Sequence, residues 1–141
     1  MTHRFVASLA AGLVLASLST PRTARAADEP GAASPGRTLY LRYCGACHGP
    51  EGRGDGLAGT FIRPKPPDLT AIAQKNGGIF PSERVRAAID GTTSVGPHGN
   101  REMPVWGEVF AEEAGWDMTR RAEVRSKILM LTDYIRSIQR Q

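Results

Sequence analysis

Cys44-Gly45-Ala46-Cys47-His48 is the stretch on which the reading of this chain turns. Two cysteines separated by two residues, with histidine next, form the C-x-x-C-H pattern of covalent haem attachment. The spacing has a physical reason. On one helical turn, thiols at i and i+3 share a face, so each reaches one vinyl group of the same porphyrin. The following residue, His48, is then delivered to the iron as an axial ligand. Rival readings need other surroundings. A thioredoxin-like pair needs a βαβ frame, and the Gly- and Pro-rich sequence after His48 offers none. A zinc site needs two more ligands, and His98 plus a carboxylate is an odd set. A Cys44–Cys47 disulfide closes a strained, very short loop. With only two cysteines in 141 residues, a disulfide framework and a four-cysteine zinc site are both excluded.

Upstream, Thr2-His3-Arg4 is a short positive start, followed by Phe5–Leu18, almost entirely apolar or small. Ala24-Arg25-Ala26 then supplies small residues where a signal peptidase reads, predicting cleavage between Ala26 and Ala27. Phe5–Leu18 is 14 residues, short of the roughly 20 that a spanning helix needs. Residues 1–26 are therefore expected to be a removed secretory signal, not an anchor. The first cysteine, Cys44, is too far on to take a lipid. Residues 27–35 read as a flexible, small-residue leader and 36–141 as one domain. The 18 basic and 14 acidic residues sum to +4. Residues 1–26 hold three arginines and no acid, so the mature chain is at +1. That near balance argues against nucleic acid and against a polybasic membrane-surface protein. No later run is apolar enough to span a bilayer, so no stable membrane insertion is expected after cleavage. Export agrees with the motif, because c-type haem is attached outside the cytoplasm. The expected location is periplasmic or otherwise extracytoplasmic.

The iron has a sixth position. After signal removal the remaining histidines are His48 and His98, and the remaining methionines Met103, Met118 and Met130. Met103 sits in a loop, Gly99 to Gly107, punctuated by Gly and Pro with no helical period. Pro104 biases Met103 towards extended backbone and so gives its thioether a defined direction. Thioether sulfur is a soft ligand suited to haem iron. Met103 is thus the expected distal ligand, with His98 as its competitor. Met130 lies in a helical pattern and reads as core filler; that role is open to Met118 too, but Met118 stands beside Trp116 and is not dismissed as a ligand.

Taken together these residues resemble a class I c-type cytochrome, a small monohaem electron carrier. The likeness runs from about Gly36 to Gln139. It comprises an N-terminal helix ending in CGACH, a Gly/Pro-rich loop, a methionine loop and a C-terminal amphipathic helix. The resemblance implies an all-α, cytochrome c-like fold: three to five short helices and long loops around one covalently bound haem c. It implies thioether bonds from Cys44 and Cys47 and axial ligation by His48 and Met103. It further implies close crossing of the terminal helices, for which Gly36 and Tyr134 are the matching pair. A proline carbonyl is expected to accept the His48 Nδ1 proton, and Pro64 and Pro67 both qualify. Arg63, Lys65, Arg84 and Arg101 are candidates for the haem propionates.

Periodicity supports the helices independently. Gly36, Tyr40, Tyr43/Cys44 and Cys47 share one face. Val124, Ile128, Leu131, Ile135 and Ile138 form an apolar stripe, with Arg125, Lys127, Asp133, Arg136 and Arg140 mostly on the wet side. Ser82 to Ile89 reads as a short helix capped by Ser82 and stopped by Gly91. Trp106 is expected beside the haem or in the core. Residues 108–121 are longer than the family's usual link, and read as an extra helix or a partner surface.

The function this implies is one-electron transfer without bond chemistry on a substrate, so the chain is expected to be a carrier and not an enzyme. His/Met ligation leaves no open iron position for oxygen or peroxide. Redox proteins are expected to dock weakly at an exposed haem edge, on a monomer. The alternative is a cytochrome subunit of a periplasmic dehydrogenase or reductase complex. A haem sensor with open iron would require Met103 not to bind.

Overall fold

A computed structural model describes residues 34–93, 103–115 and 118–140. The expected signal, most of the leader, His98, Arg101 and Trp116 lie outside the described residues. Within them the protein is all helix and loop: α1 (Pro35–Tyr43), α2 (Gly45–His48), α3 (Ile72–Lys75), α4 (Ser82–Asp90), α5 (Trp106–Glu113) and α6 (Arg120–Ser137). Single 3-10 turns, Ala58–Phe61 and Leu69–Ala71, complete the set. The all-α class is as expected. The helical segments outnumber the expected three to five because the first helix is interrupted at Cys44 and a short α3 follows the Pro-rich loop.

Ser34 starts α1: its Oγ accepts from Arg37 N–H at 3.1 Å, and Pro35 occupies the first helical position. Ser82, expected as the cap of α4, is instead its first helical residue and makes no capping bond. Its Oγ accepts from Arg136 of α6 at 3.0 Å, so a tertiary partner outcompetes the local one. Gly91 does end α4, in the left-handed conformation at φ 85°.

α1 and α6 share the most extensive helix contact, and α4 and α5 also pack on α6. Gly36 is the point of closest approach. A Cβ there would lie 2.5 Å from the Met130 carbonyl oxygen and 3.0 Å from Tyr134 Cβ. One turn on, the Tyr40 and Tyr134 rings meet at 5.0 Å. The Gly36–Tyr134 crossing is therefore as expected. Tyr40, Phe110 and Leu131 are completely buried, and Val85, Ile89, Ile128 and Ile135 join them in the core. The α6 stripe is buried in its middle, at Ile128, Leu131 and Ile135, while Val124 and Ile138 at its ends are half-buried. Met118 is 98% exposed, so of the roles open to it core filler is excluded.

The 108–121 segment supplies α5, and this helix is structural. Phe110 packs against Tyr43 at 5.0 Å and Trp106 at 5.8 Å, which makes Trp106 part of an aromatic cluster. Deleting 108–121 would remove a fully buried ring and the first two residues of α6. Lys127, read as wet, is half-buried, with its ammonium 5.3 Å from the Phe110 ring centre. Glu113 at the end of α5 accepts from the Tyr43 hydroxyl at 2.8 Å and pairs with Lys127 at 3.2 Å. Lys127 also pairs with Glu123 at 3.0 Å.

The Tyr43 bond holds the Glu113 carboxyl below its ordinary range, and Lys127 adds to this. A carboxylate depressed in the folded state contributes stability above its unfolded value and loses it as pH falls through the folded one. Between about pH 5 and pH 3, around the ordinary glutamate value of ~4.3, wild type should lose urea resistance more steeply than Glu113→Gln. Parallel pH profiles of the two midpoints would show that Glu113 does not link the helices.

Candidate functional site

Cys44 lies where α1 ends and α2 begins. Its N–H bonds to the Tyr40 carbonyl at 2.8 Å, while its own carbonyl accepts from His48 N–H at 2.9 Å. The helical ladder thus continues through the break, so Cys44, Cys47 and His48 are carried on one rigid unit docked on α6 through α1. Cys44 and His48 are buried and Cys47 half-buried, and the two thiols are not joined. Burial, with a smaller contribution from Cys47, pushes the Cys44 thiol up to about 12. That is the opposite of the low-pKa thiolate a redox-exchange pair needs, and no strand occurs among the described residues to build a βαβ frame.

The His48 ring has a defined tautomer. Its Nδ1 lies 3.1 Å from the Pro67 carbonyl oxygen, which can only accept, so Nδ1 carries the proton and Nε2 the free lone pair. Burial lowers the imidazole pKa and so favours the neutral ring, while the Pro67 bond opposes this in part. Of the two candidate prolines, Pro67 is the acceptor. A neutral imidazole fixed through Nδ1 and presenting Nε2 is the form that binds a metal.

Two further contacts shape the loop behind the ring. The buried Tyr40 hydroxyl donates to the Gly49 carbonyl at 2.7 Å. Gly54 N–H donates to the His48 carbonyl at 2.7 Å, and Gly54 has φ 73°. A Cβ at Gly54 would stand 3.2 Å from the Pro67 oxygen, so only glycine lets the two arms of the loop close over His48.

Met103 is half-buried and packs against the core cluster, at the near end of α5. The candidates for propionate contact diverge. Arg63 donates to the Thr60 and Ile62 carbonyls, both at 2.9 Å, and Arg84 to Asn76 Oδ1 at 2.9 Å. Lys65 is exposed. A cavity of about 910 Å³ opens between α4, α5 and α6, but neither cysteine, His48 nor Met103 lines it. No group of three or more His, Cys, Asp or Glu converges on a metal position among the described residues.

Two thiols and a neutral, oriented imidazole on one helical unit are a donor set that fits haem c. Residues 31–120 match the family model described as cytochrome C oxidase, cbb3-type, subunit III. The chain belongs to the c-type cytochromes. This cytochrome carries covalently bound haem c, and its chemistry is haem-based electron transfer. No curated protein and no solved structure matches the sequence. No helix among the described residues is long and apolar enough to cross a membrane.

Sequence reasoning missed the Tyr40 hydroxyl as a support of the loop after the motif. Its ring was visible as part of an apolar face, but nothing local points to the Gly49 carbonyl as partner. It also missed residues 139–140, whose partners lie 66 to 72 positions earlier.

Proposed function

We propose that Cys44 and Cys47 hold the haem through thioether bonds and that His48 and Met103 are its axial iron ligands. On this reading the cytochrome is exported and carries single electrons between redox proteins outside the cytoplasm. Residues 1–26 are the removed signal, 27–35 a leader and 36–141 the domain, acting as a monomer.

The observation that carries the reading is the Nδ1–H···O=C bond from His48 to Pro67, at 3.1 Å. A buried histidine whose Nδ1 is committed to a carbonyl has its Nε2 lone pair available, one residue after the second thiol. When bound, the haem supplies one-electron redox chemistry. The chain does the rest. Pro67 fixes the ring plane, and the hydrogen bond raises the donor strength of Nε2. Burial of Cys44 and His48 keeps water from the proximal side. Met103 lies in the α4–α5 connection, three residues before α5, and is half-buried; as a ligand its thioether would favour the reduced state. Leu57 and Phe61, 80% and 83% exposed on the turn packed against α2, offer an apolar surface for weak, quickly released partners.

The test is a visible spectrum of the purified protein, oxidised and reduced, with and without carbon monoxide, repeated on Met103→Ala. The expected results are a low-spin c-type spectrum and no carbon monoxide binding by wild type. A weak sulfur-to-iron band should be present in wild type and lost in the variant. A spectrum unaltered by the substitution would move the sixth ligand to His98 or Met118. Ready carbon monoxide binding by wild type would mean an open iron.

The description of the matching family, an oxidase subunit, favours a second reading as part of a larger oxidoreductase. Size-exclusion of the native extract separates the two. A free carrier elutes at the size of one processed chain, below the 15.2 kDa of the full sequence, whereas a subunit stays with a catalytic partner at fixed stoichiometry.

A further inference from the structure

We infer that Gln139 and Arg140, just beyond α6, form a clasp that sets the hydrogen bond on the His48 ring by fixing residues 68–70. The inference rests on the reading of His48 as an iron ligand. It assigns these side chains as positioning residues.

Pro66 and Pro67 have no N–H with which to anchor themselves. The place of the Pro67 carbonyl is therefore decided by what holds the residues after it. From the loop side, Leu69 N–H donates to the Gly52 carbonyl at 2.7 Å. Locally, Asp68 Oδ1 accepts from Thr70 N–H at 2.9 Å and from its hydroxyl at 2.6 Å. The other holds come from residues 139 and 140. Gln139 Nε2 donates to the Leu69 carbonyl at 2.7 Å and to the Ile135 carbonyl at 2.7 Å. Its Oε1 accepts from Ala73 N–H at 2.8 Å. With carbonyls on the nitrogen and an N–H on the oxygen, the amide has one satisfying orientation. Arg140 contributes its backbone N–H to the Thr70 carbonyl at 2.9 Å and its guanidinium to Asp68 Oδ2 at 2.8 Å.

Residues 68, 69 and 70 are thus each bonded to residue 139 or 140, and Pro67 precedes them directly. On the loop side Gly54 runs close to the same turn, since a Cβ there would collide with the Pro66 oxygen and lie 3.2 Å from the Pro67 oxygen. Release of the clasp would let the carbonyl move away from Nδ1. A weaker Nδ1–H···O bond lowers the donor strength of Nε2 and so stabilises the oxidised iron less. The reduction potential should rise.

The test uses the haem-loaded, full-length protein and compares wild type with Gln139→Ala and Arg140→Ala. Solvent exchange of the axial imidazole Nδ1 proton is read by NMR, and the potential by redox titration. In Gln139→Ala the exchange should be about fivefold faster or more, in keeping with loss of a typical hydrogen bond, and the potential should be higher. Arg140→Lys keeps a cation beside Asp68 and should recover part of the Arg140→Ala effect. Ile128→Val, a core change three turns back on α6, lowers global stability and should move neither reading. Unchanged exchange and potential in Gln139→Ala would overturn the clasp, as would an equal shift in Ile128→Val. If the wild-type protein lacks axial-imidazole signals altogether, the assignment of His48 falls, and the clasp with it.

Discussion

Gly36→Val should cost about 3 kcal/mol of folding stability, the upper end of the usual range for overpacking a close contact. Helix propensity alone says the reverse, since valine is a better helix former than glycine by a few tenths of a kcal/mol. Packing wins because of what the new atoms meet. The first carbon would lie 2.5 Å from the Met130 carbonyl oxygen, 3.3 Å from its carbonyl carbon and 3.0 Å from Tyr134 Cβ. None of these is the tip of a flexible side chain, so α1 must move away from α6, and valine adds two methyls to the first clash. Separating them exposes Tyr40, which is completely buried at the crossing. Against a total stability of roughly 5–15 kcal/mol for a domain, a loss of this size lowers the urea midpoint markedly. Gly36→Ala should fall between valine and wild type. A valine variant with the wild-type midpoint would mean that the helices do not cross here.

The second large effect is expected from Cys44→Ser combined with Cys47→Ser. Serine keeps the size of the side chains but cannot form thioethers. Haem staining of the denatured chain on a gel should fall to background in the double variant, while each single variant keeps one link. The protein should also lose thermal stability, because small domains commonly depend on a group bound within the core. Full staining of the double variant would place the covalent attachment elsewhere in the chain and overturn the assignment of both cysteines.

The two predictions draw on different parts of what the sequence makes legible. Cys44, Cys47 and His48 are readable because the role proposed for them depends on near neighbours: a helical turn carries the thiols and the imidazole together. Gly36, Tyr40 and the α6 stripe are readable for a similar reason, as period and side-chain size reveal a packed face. Ser82 was misread because a serine before an apolar helix satisfies a local rule, while Arg136, 54 residues later, takes the hydroxyl in the folded chain. Lys127 was misread because its charge says water, whereas Phe110 and two carboxylates hold it at the surface of the core. Phe110 sits in a segment without a clear pattern, and only its burial shows that α5 is structural.

The choice between Pro64 and Pro67 marks the same boundary. Both carbonyls are chemically alike, and neither carries a side-chain signal. Pro67 meets His48 across 19 residues because Gly54, Gly52 and the Gln139–Arg140 pair bring that turn of chain to the ring. The sequence by itself determined the C-x-x-C-H motif and the apolar faces of the terminal helices, since each is written in local spacing or periodicity. Through the resemblance those motifs carry, it implied the all-α class and the helix crossing. Only the tertiary structure decided which carbonyl orients His48, which side chains brace that carbonyl and which charges are drawn into the core. Those outcomes depend on backbone groups that every residue has, and their partners are selected by distance in space.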